Sequence, residues 1–395
     1  MPTYAVMSIV HQFLPERYRR FEHLYQAAGQ NTGNLLFSTA VWRQLAAERK
    51  RVGFRIDPDK INERYDALVI PAANWINPGT DLGMIADNIE KLTIPVVIIG
   101  LGAQSVGVDD DPKVPMPAGT ERLLRLIAER CHSLSVRGAF TKRVLSAYGI
   151  DNVTVTGCPS LYVDFGPTPK PRIAAPFDLA RCLLHGTRYG VQKPDFTALP
   201  KSDINRALYR FAFAHALDLL YQSEPEEIAL LLGFDDDSAA RTPAQEKHLQ
   251  NVYGATSIDA VEAYVHTHGK VFTGMQVWSK AIRAYQFILG TRLHGTIMAL
   301  NSGVPASLIT HDSRTAEIAD FACIPAIDGR TAVLSQATIK DAYERFDMAP
   351  YQTRRAQNRK RYHQFLTDNG LVPAFEATEP TRQPRDRATT HAHRH

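Results

Sequence analysis

Short apolar runs alternate with amphipathic stretches along the whole chain. In the first part, residues 4–10, 67–70, 96–99, 133–136 and 153–156 read as strands. Between them, 35–48, 82–91, 120–130 and 139–148 place apolar residues at helical spacing. Strands that are apolar throughout are covered on both faces, and their alternation with helices predicts a parallel sheet. Residues 164–176 interrupt this rhythm with four prolines and read as a linker.

The pattern then restarts. Strands are expected at 182–184, 228–232, 270–272, 287–289 and 306–309, and helices at 203–222, 243–253, 258–268, 277–285, 294–302 and 314–321. Residues 338–367 read as one or two charged amphipathic helices that pack back across the first unit. From Glu376 onward the chain is polar and aperiodic, the composition of a disordered tail. Its His391, His393 and His395 either bind metal adventitiously or belong to a tail without function. The expected fold class is α/β: two Rossmann-like domains, 1–165 and 177–335, facing a cleft, then helices over 336–375 and a tail over 376–395.

A length of 395 residues, with 44% hydrophobic and 22% charged residues, suits two globular cores. The net charge is only +4, and no basic stripe is interleaved with aromatics, so nucleic acid is not an expected partner. The same charge permits a peripheral contact with an anionic membrane surface without requiring one. The first residues, MPTYAVMSIV, lack the basic start and cleavage site of a secretory signal, and no apolar run nears the roughly 20 residues of a membrane span. Cys131, Cys158, Cys182 and Cys323 are far apart in sequence and form no CxxC pair, the usage of buried thiols in a reducing compartment. The expected location is cytoplasmic.

In open α/β sheets, ligands bind beyond the carboxyl ends of the strands. Four such places carry candidate chemistry. The run FILGTRLHGT at 287–296 leads from a strand through Gly290 to Arg292 and His294 at a helix start. The free amides and dipole of that start suit an anion, a guanidinium grips a carboxylate or phosphate, and an imidazole exchanges a proton near neutrality. The alternative is an Arg292 paired with a structural carboxylate and a His294 that caps the helix. Arg137, in SLSVRG at 133–138, is either a second anion contact or a structural ion pair. Gly100 and Gly102 let the backbone approach a ligand and Gln104 can bind a sugar hydroxyl, or the three form an ordinary tight turn. Cys158 and Ser160, in TGCPS at 156–160, fit turn chemistry better than a nucleophile. The acidic triplets Asp109–Asp111 and Asp235–Asp237 lack matched partners, so no metal site is expected.

These segments together resemble the polysaccharide pyruvyl transferase family. The resemblance is carried by GLGAQ at 100–104, SVRGAFT at 135–141, VTGCPS at 155–160 and GTRLHGTIMALNSGVPA at 290–306, extended by Asp312, Arg314 and Glu317. It implies a fold similar to the GT-B glycosyltransferases. It also implies transfer of pyruvate from phosphoenolpyruvate to two hydroxyls of a sugar or lipid-linked glycan, with no metal or organic cofactor. Matching positions imply that Arg292, Leu293 and His294 hold the donor, with Arg137 as a second contact. His294 is then the acid or base, and Asp312 and Glu317 are weaker candidates. Two turns depart from the family pattern: Pro71-Ala-Ala-Asn74 replaces a glycine-rich turn, and Asn31-Thr-Gly-Asn34 ends in Asn34 in place of Asp. Asn74 and Asn34 thus join Gly100, Gly102 and Gln104 as candidates on the acceptor side. Two rival readings are a nucleotide-sugar-dependent glycosyltransferase on the same architecture and a non-catalytic component of a polysaccharide assembly complex.

Overall fold

The computed structural model describes residues 1–104, 112–164, 175–188, 202–237 and 239–377, the side chains of 202 and 203 aside. Most of the expected linker, nearly all of the expected tail with its three histidines, and Asp109–Asp111 lie outside the described residues.

The first unit contains β1 (Thr3–Met7), β2 (Glu48–Val52), β3 (Ala67–Pro71), β4 (Val96–Ile99), β5 (Leu134–Val136) and β6 (Val153–Val155). Four of them form a parallel sheet in the order β2-β1-β3-β4. Strands β5 and β6 pair in parallel, and a bridge from Leu101 to Val136 ties them to the chain leaving β4. The second unit contains β7 (Cys182–His185), β8 (Asp218–Leu220), β9 (Gly269–Lys270), β10 (Phe287–Gly290), β11 (Ala306–Thr310) and β12 (Ala326–Asp328). Its order is β12-β11-β10-β7-β8-β9, all parallel, which is the doubly wound order of dinucleotide-binding folds. The chain is thus an α/β protein of two Rossmann-like units in a GT-B-like arrangement. In such sheets a crevice opens where the strand order reverses, here between β1 and β3 and between β7 and β10.

Every residue of β3, β4, β7 and β10 is buried, as their apolar sequences require. One apolar cluster runs through both units, from Val6, Phe37 and Val97 to Leu184, Leu289 and Ile297. The C-terminal pair of helices, Gln336–Glu344 and Ala349–Asp368, belongs to the same cluster. From the longer helix, Tyr362 donates to Gln44 Oε1 at 3.0 Å and stacks on Tyr162, so this helix packs back across the first unit.

Several sequence expectations are corrected. Residues 228–232 are no strand but the end of a helix, Pro225–Leu232. A five-residue apolar run does not separate the two, whereas Pro225, two glutamates in the first turn and the left-handed Gly233 after it mark a helix. The expected helix over 203–222 ends at Ala214, and β8 follows within the same run. Strand β2, with sequence ERKRV, was hidden by its charge; it is an exposed edge strand, where lysine and arginine discourage further pairing. The weak final strand β12 also escaped the pattern. No helix among the described residues is long and apolar enough to cross a membrane.

Gly290 ends β10 where it lies against β7, and a Cβ there would overlap the His185 carbonyl oxygen. Gly290→Ala is expected to cost about 3 kcal/mol of stability by forcing the two strands apart, seen as a lower denaturation midpoint.

Candidate active site

Loops from both switch points meet in one small open cleft. The first unit supplies Asn31 and Asn34 from the start of helix Asn34–Gln44, Ala73 and Asn74 after β3, and Arg137 after β5. The second supplies Thr187 after β7, Gln222 after β8, and Thr291 to His294 after β10. Arg314 and Thr315, after β11, complete the wall. Among the described residues, three arginines line this cleft and no carboxylate does. The helix Leu293–Asn301, for which Arg292 is the N-cap, begins here without a side-chain cap. Its free amides and dipole add to the positive potential.

The arginines are held differently. Arg292 donates Nε to the Gly186 carbonyl at 3.0 Å and Nη2 to Ser223 Oγ and Glu224 Oε1. Burial opposes its charge, yet Glu224 keeps its pKa above the ordinary arginine value. Its backbone amide donates to His185 Nδ1 at 3.0 Å, which leaves the His185 proton on Nε2; burial and the nearby Arg292 charge push this imidazole down to about 3. Arg314 pairs with Asp312 at 2.9 Å. Arg137 is 2% exposed, donates Nε to the Gly100 carbonyl at 2.9 Å and Nη1 to Asn74 Oδ1 at 3.1 Å, and leaves Nη2 without a partner among the described residues. Burial pulls its pKa below the ordinary arginine value. Arg137 is the cation of this wall that no described carboxylate hydrogen-bonds.

His294 lies between the units. Its Nε2 stands 3.8 Å from Cys158 Sγ, and its ring leans on Phe37 with centroids 5.6 Å apart. Burial, then Arg137, Arg314 and Arg292, hold its pKa well below that of a free imidazole. It is neutral in the free protein and able to accept a proton.

The other candidates take supporting places. Leu293 lines the cleft beside His294. Gly100, Gly102 and Gln104 are not among the lining residues. Gly100, at φ +80°, packs against Pro159, and Gly102 backs onto the Arg137 side chain and Asn74, so this turn buttresses Arg137. Asn34 spends its amide on the carbonyls of Ala28 and Gly29, both at 3.2 Å. Asp312 caps helix Ser313–Ala322 and pairs with Arg314; despite burial, these partners hold it below the usual carboxylate range. Glu317 also lies outside the lining. It accepts from Thr141 N at 3.1 Å and Thr141 Oγ1 at 2.8 Å, joining the second unit to helix Ala139–Ala147 of the first. Cys158 is fully buried against Ser160 at 2.9 Å, and Asp236 accepts from the Phe21 amide at 3.0 Å at the start of helix Phe21–Ala27.

Residues 31–313 match the family described as polysaccharide pyruvyl transferase. The chain belongs to this family. It is therefore a transferase by kinship. No curated protein matches it in sequence. Among solved structures it is similar to an S. aureus MnaA-UDP co-structure, at 11% identity over 94% of this chain and 99% of that one, with a TM-score of 0.45. It is also similar to UDP-N-acetylglucosamine 2-epimerase from Rickettsia bellii, at 11% identity over 92% and 95%, TM-score 0.43. A third is the glycosyltransferase SnogD from Streptomyces nogalater, at 12% identity over 90% and 94%, TM-score 0.30.

For this pyruvyl transferase family member, sequence reasoning missed the segment Gln222-Ser223-Glu224, because the expected helix over 203–222 concealed the strand end before it. Glu224 has no exposed surface and accepts from the amides of Gln222 at 2.7 Å and Ser223 at 2.8 Å as well as from Arg292. The readable signal was Ser-Glu-Pro-Glu-Glu, a helix start directly after an apolar run.

Glu224→Ala leaves Arg292 buried without its carboxylate and should destabilise the protein by about 3 kcal/mol in denaturant titrations. Burial pushes Glu317 up to about 7 from 4.5, against its hydrogen bonds from Thr141. The folded protein therefore holds this proton more tightly than the unfolded chain, and stability falls as pH rises from 4.5 to 7, by roughly 3 kcal/mol. Glu317→Gln should flatten that slope; an unchanged slope would contradict this account.

Proposed function

We propose that the cleft binds phosphoenolpyruvate and transfers its pyruvyl group to two hydroxyls of a sugar in a cell-surface polysaccharide precursor, forming a cyclic ketal. The observation that carries this reading is the acid-free wall: three arginines and an uncapped helix start face one small cleft, and Arg137 holds an unpartnered donor there. A compact ligand bearing both a carboxylate and a phosphate matches that array.

In this reaction a proton adds to the methylene carbon and leaves an electron-poor central carbon. Two sugar hydroxyl oxygens form bonds to that carbon, and its bond to the phosphate oxygen breaks. One hydroxyl proton offsets the proton added to carbon, and the other leaves with inorganic phosphate. No step needs a metal or an organic cofactor. Neutral His294 is suited to take the proton of an attacking hydroxyl. Arg292 and Arg137 anchor the donor's charges, while the side chains of Asn31 and Asn74 offer neutral partners for sugar hydroxyls on the first unit. A lipid-linked acceptor would bring this cytoplasmic reaction to the inner face of the membrane.

Phosphoenolpyruvate is expected to raise the melting temperature of the purified protein. A ligand at ~100 times its Kd adds about 2.7 kcal/mol. The gain should vanish in Arg292→Ala and Arg137→Ala. Stabilisation by UDP- or GDP-sugars alone would overturn the reading in favour of a glycosyltransferase. His294→Ala should keep donor binding and lose about 100-fold or more in the rate of phosphate release with acceptor present.

A further inference from the structure

Gln222 is 1% exposed, lines the cleft, and carries an amide nitrogen with no hydrogen-bond partner among the described residues. Its side chain passes between glycines of the two units. A Cβ on Gly33 would overlap its Oε1, and a Cβ on Gly295 would stand 3.1 Å from its Nε2. Neither glycine has a positive φ, so each is suited to its place by the space it leaves and not by backbone conformation. The Gln222 carbonyl also accepts from Thr32 N at 2.7 Å, which moulds the turn Asn31-Thr-Gly-Asn34 around this residue. Gln222 is thus a wedge whose amide is fixed from both sides.

The surroundings of that amide decide what it can meet. Gly295 lies in the first turn of the uncapped helix Leu293–Asn301, and the two residues after Gln222 hold Arg292. Donors gather here, and among the described residues no ionised acceptor lines the cleft to satisfy them. A buried amide left unpaired is costly, so the missing acceptor is expected to arrive with the ligand. We propose that Gln222 Nε2 donates to an anionic oxygen of the donor substrate, making Gln222 a donor-binding residue that couples that site to the first unit. The assignment rests on the reading of the donor as phosphoenolpyruvate.

The test is calorimetric titration of the full chain with phosphoenolpyruvate and, separately, with inorganic phosphate, in wild type, Gln222→Leu and Gln222→Glu. Both variants keep the bulk of the wedge, and the ligand-free melting temperature reports which of them retains the fold. Gln222→Leu should raise the phosphoenolpyruvate Kd about tenfold or more. Gln222→Glu, which turns a carboxylate toward the anion, should raise it further. An equal loss with inorganic phosphate assigns the contact to the phosphoryl group; a loss confined to phosphoenolpyruvate assigns it to the carboxylate. Wild-type affinity in either folded variant overturns the proposal and leaves Gln222 a purely structural wedge. Failure of the wild type to bind phosphoenolpyruvate overturns the donor reading and this assignment with it.

Discussion

The second half of the cleft depends on the buried carboxylate of Glu224. Taking a carboxylate wholly out of water is unfavourable, and the molecule offsets this with the Arg292 guanidinium and the amides of Gln222 and Ser223. Those partners are the residues that shape the site. Glu224 is also the N-cap of helix Pro225–Leu232, and the Arg188 amide approaches it at 3.3 Å. One charge therefore fixes the end of β8, the start of the next helix, the loop after β7 and the arginine after β10. The glutamates that follow hold Arg188 in turn: Glu227 Oε2 pairs with it at 2.7 Å, and Glu226 pairs with it as well. These ion pairs set positions more than they add net stability, since a buried pair gains little over apolar packing.

That arrangement divides the cationic wall into two kinds of charge. Arg292 and Arg314 are each held by a carboxylate, so their positions are set before any ligand arrives while part of their field is already cancelled. Arg137 is fastened by neutral oxygens, those of Gly100 and Asn74, and its charge is not cancelled by contact. The free protein thus carries the desolvation of one guanidinium that an anion would relieve. Preorganised donors of this kind act without reorganisation when charge develops, which is the usual physical basis of electrostatic catalysis.

Much of this was legible in the sequence because strand ends are legible. The apolar run into Gly290, followed by Arg292 and His294, marked a parallel strand, its turn and a helix start, and the doubly wound order puts that turn at the switch point. The same logic found Arg137, whereas Asn74 came only from the family resemblance. It failed where local pattern and tertiary role diverge. Strand β8 is three residues long and continues a helical run without a break in hydrophobicity, so Gln222 and Glu224 fell inside or beside the wrong element. Strand β2 looks polar because one edge of its sheet faces water. The glycines of 100–104 were open to two readings, close approach to a ligand or an ordinary tight turn; here they pack against Pro159 and the Arg137 side chain, a packing demand that a motif does not distinguish from a binding one.

The neutral state of His294 follows from the same charges. Burial and three nearby guanidiniums disfavour its protonated form in the free protein. A bound polyanion reverses the sign of the local field, and an opposite charge within a few ångströms raises an imidazole pKa by about a unit or more. In the proposed reaction His294 is therefore a weak proton acceptor in the empty cleft and a stronger one beside a bound donor. A base tuned this way gains its proton affinity from the substrate on which it acts. The Cys158 thiol at its Nε2 suits such a base. As a weak hydrogen-bond partner it helps orient the ring without the fixed negative charge of a carboxylate, which would raise proton affinity whether or not the donor were present.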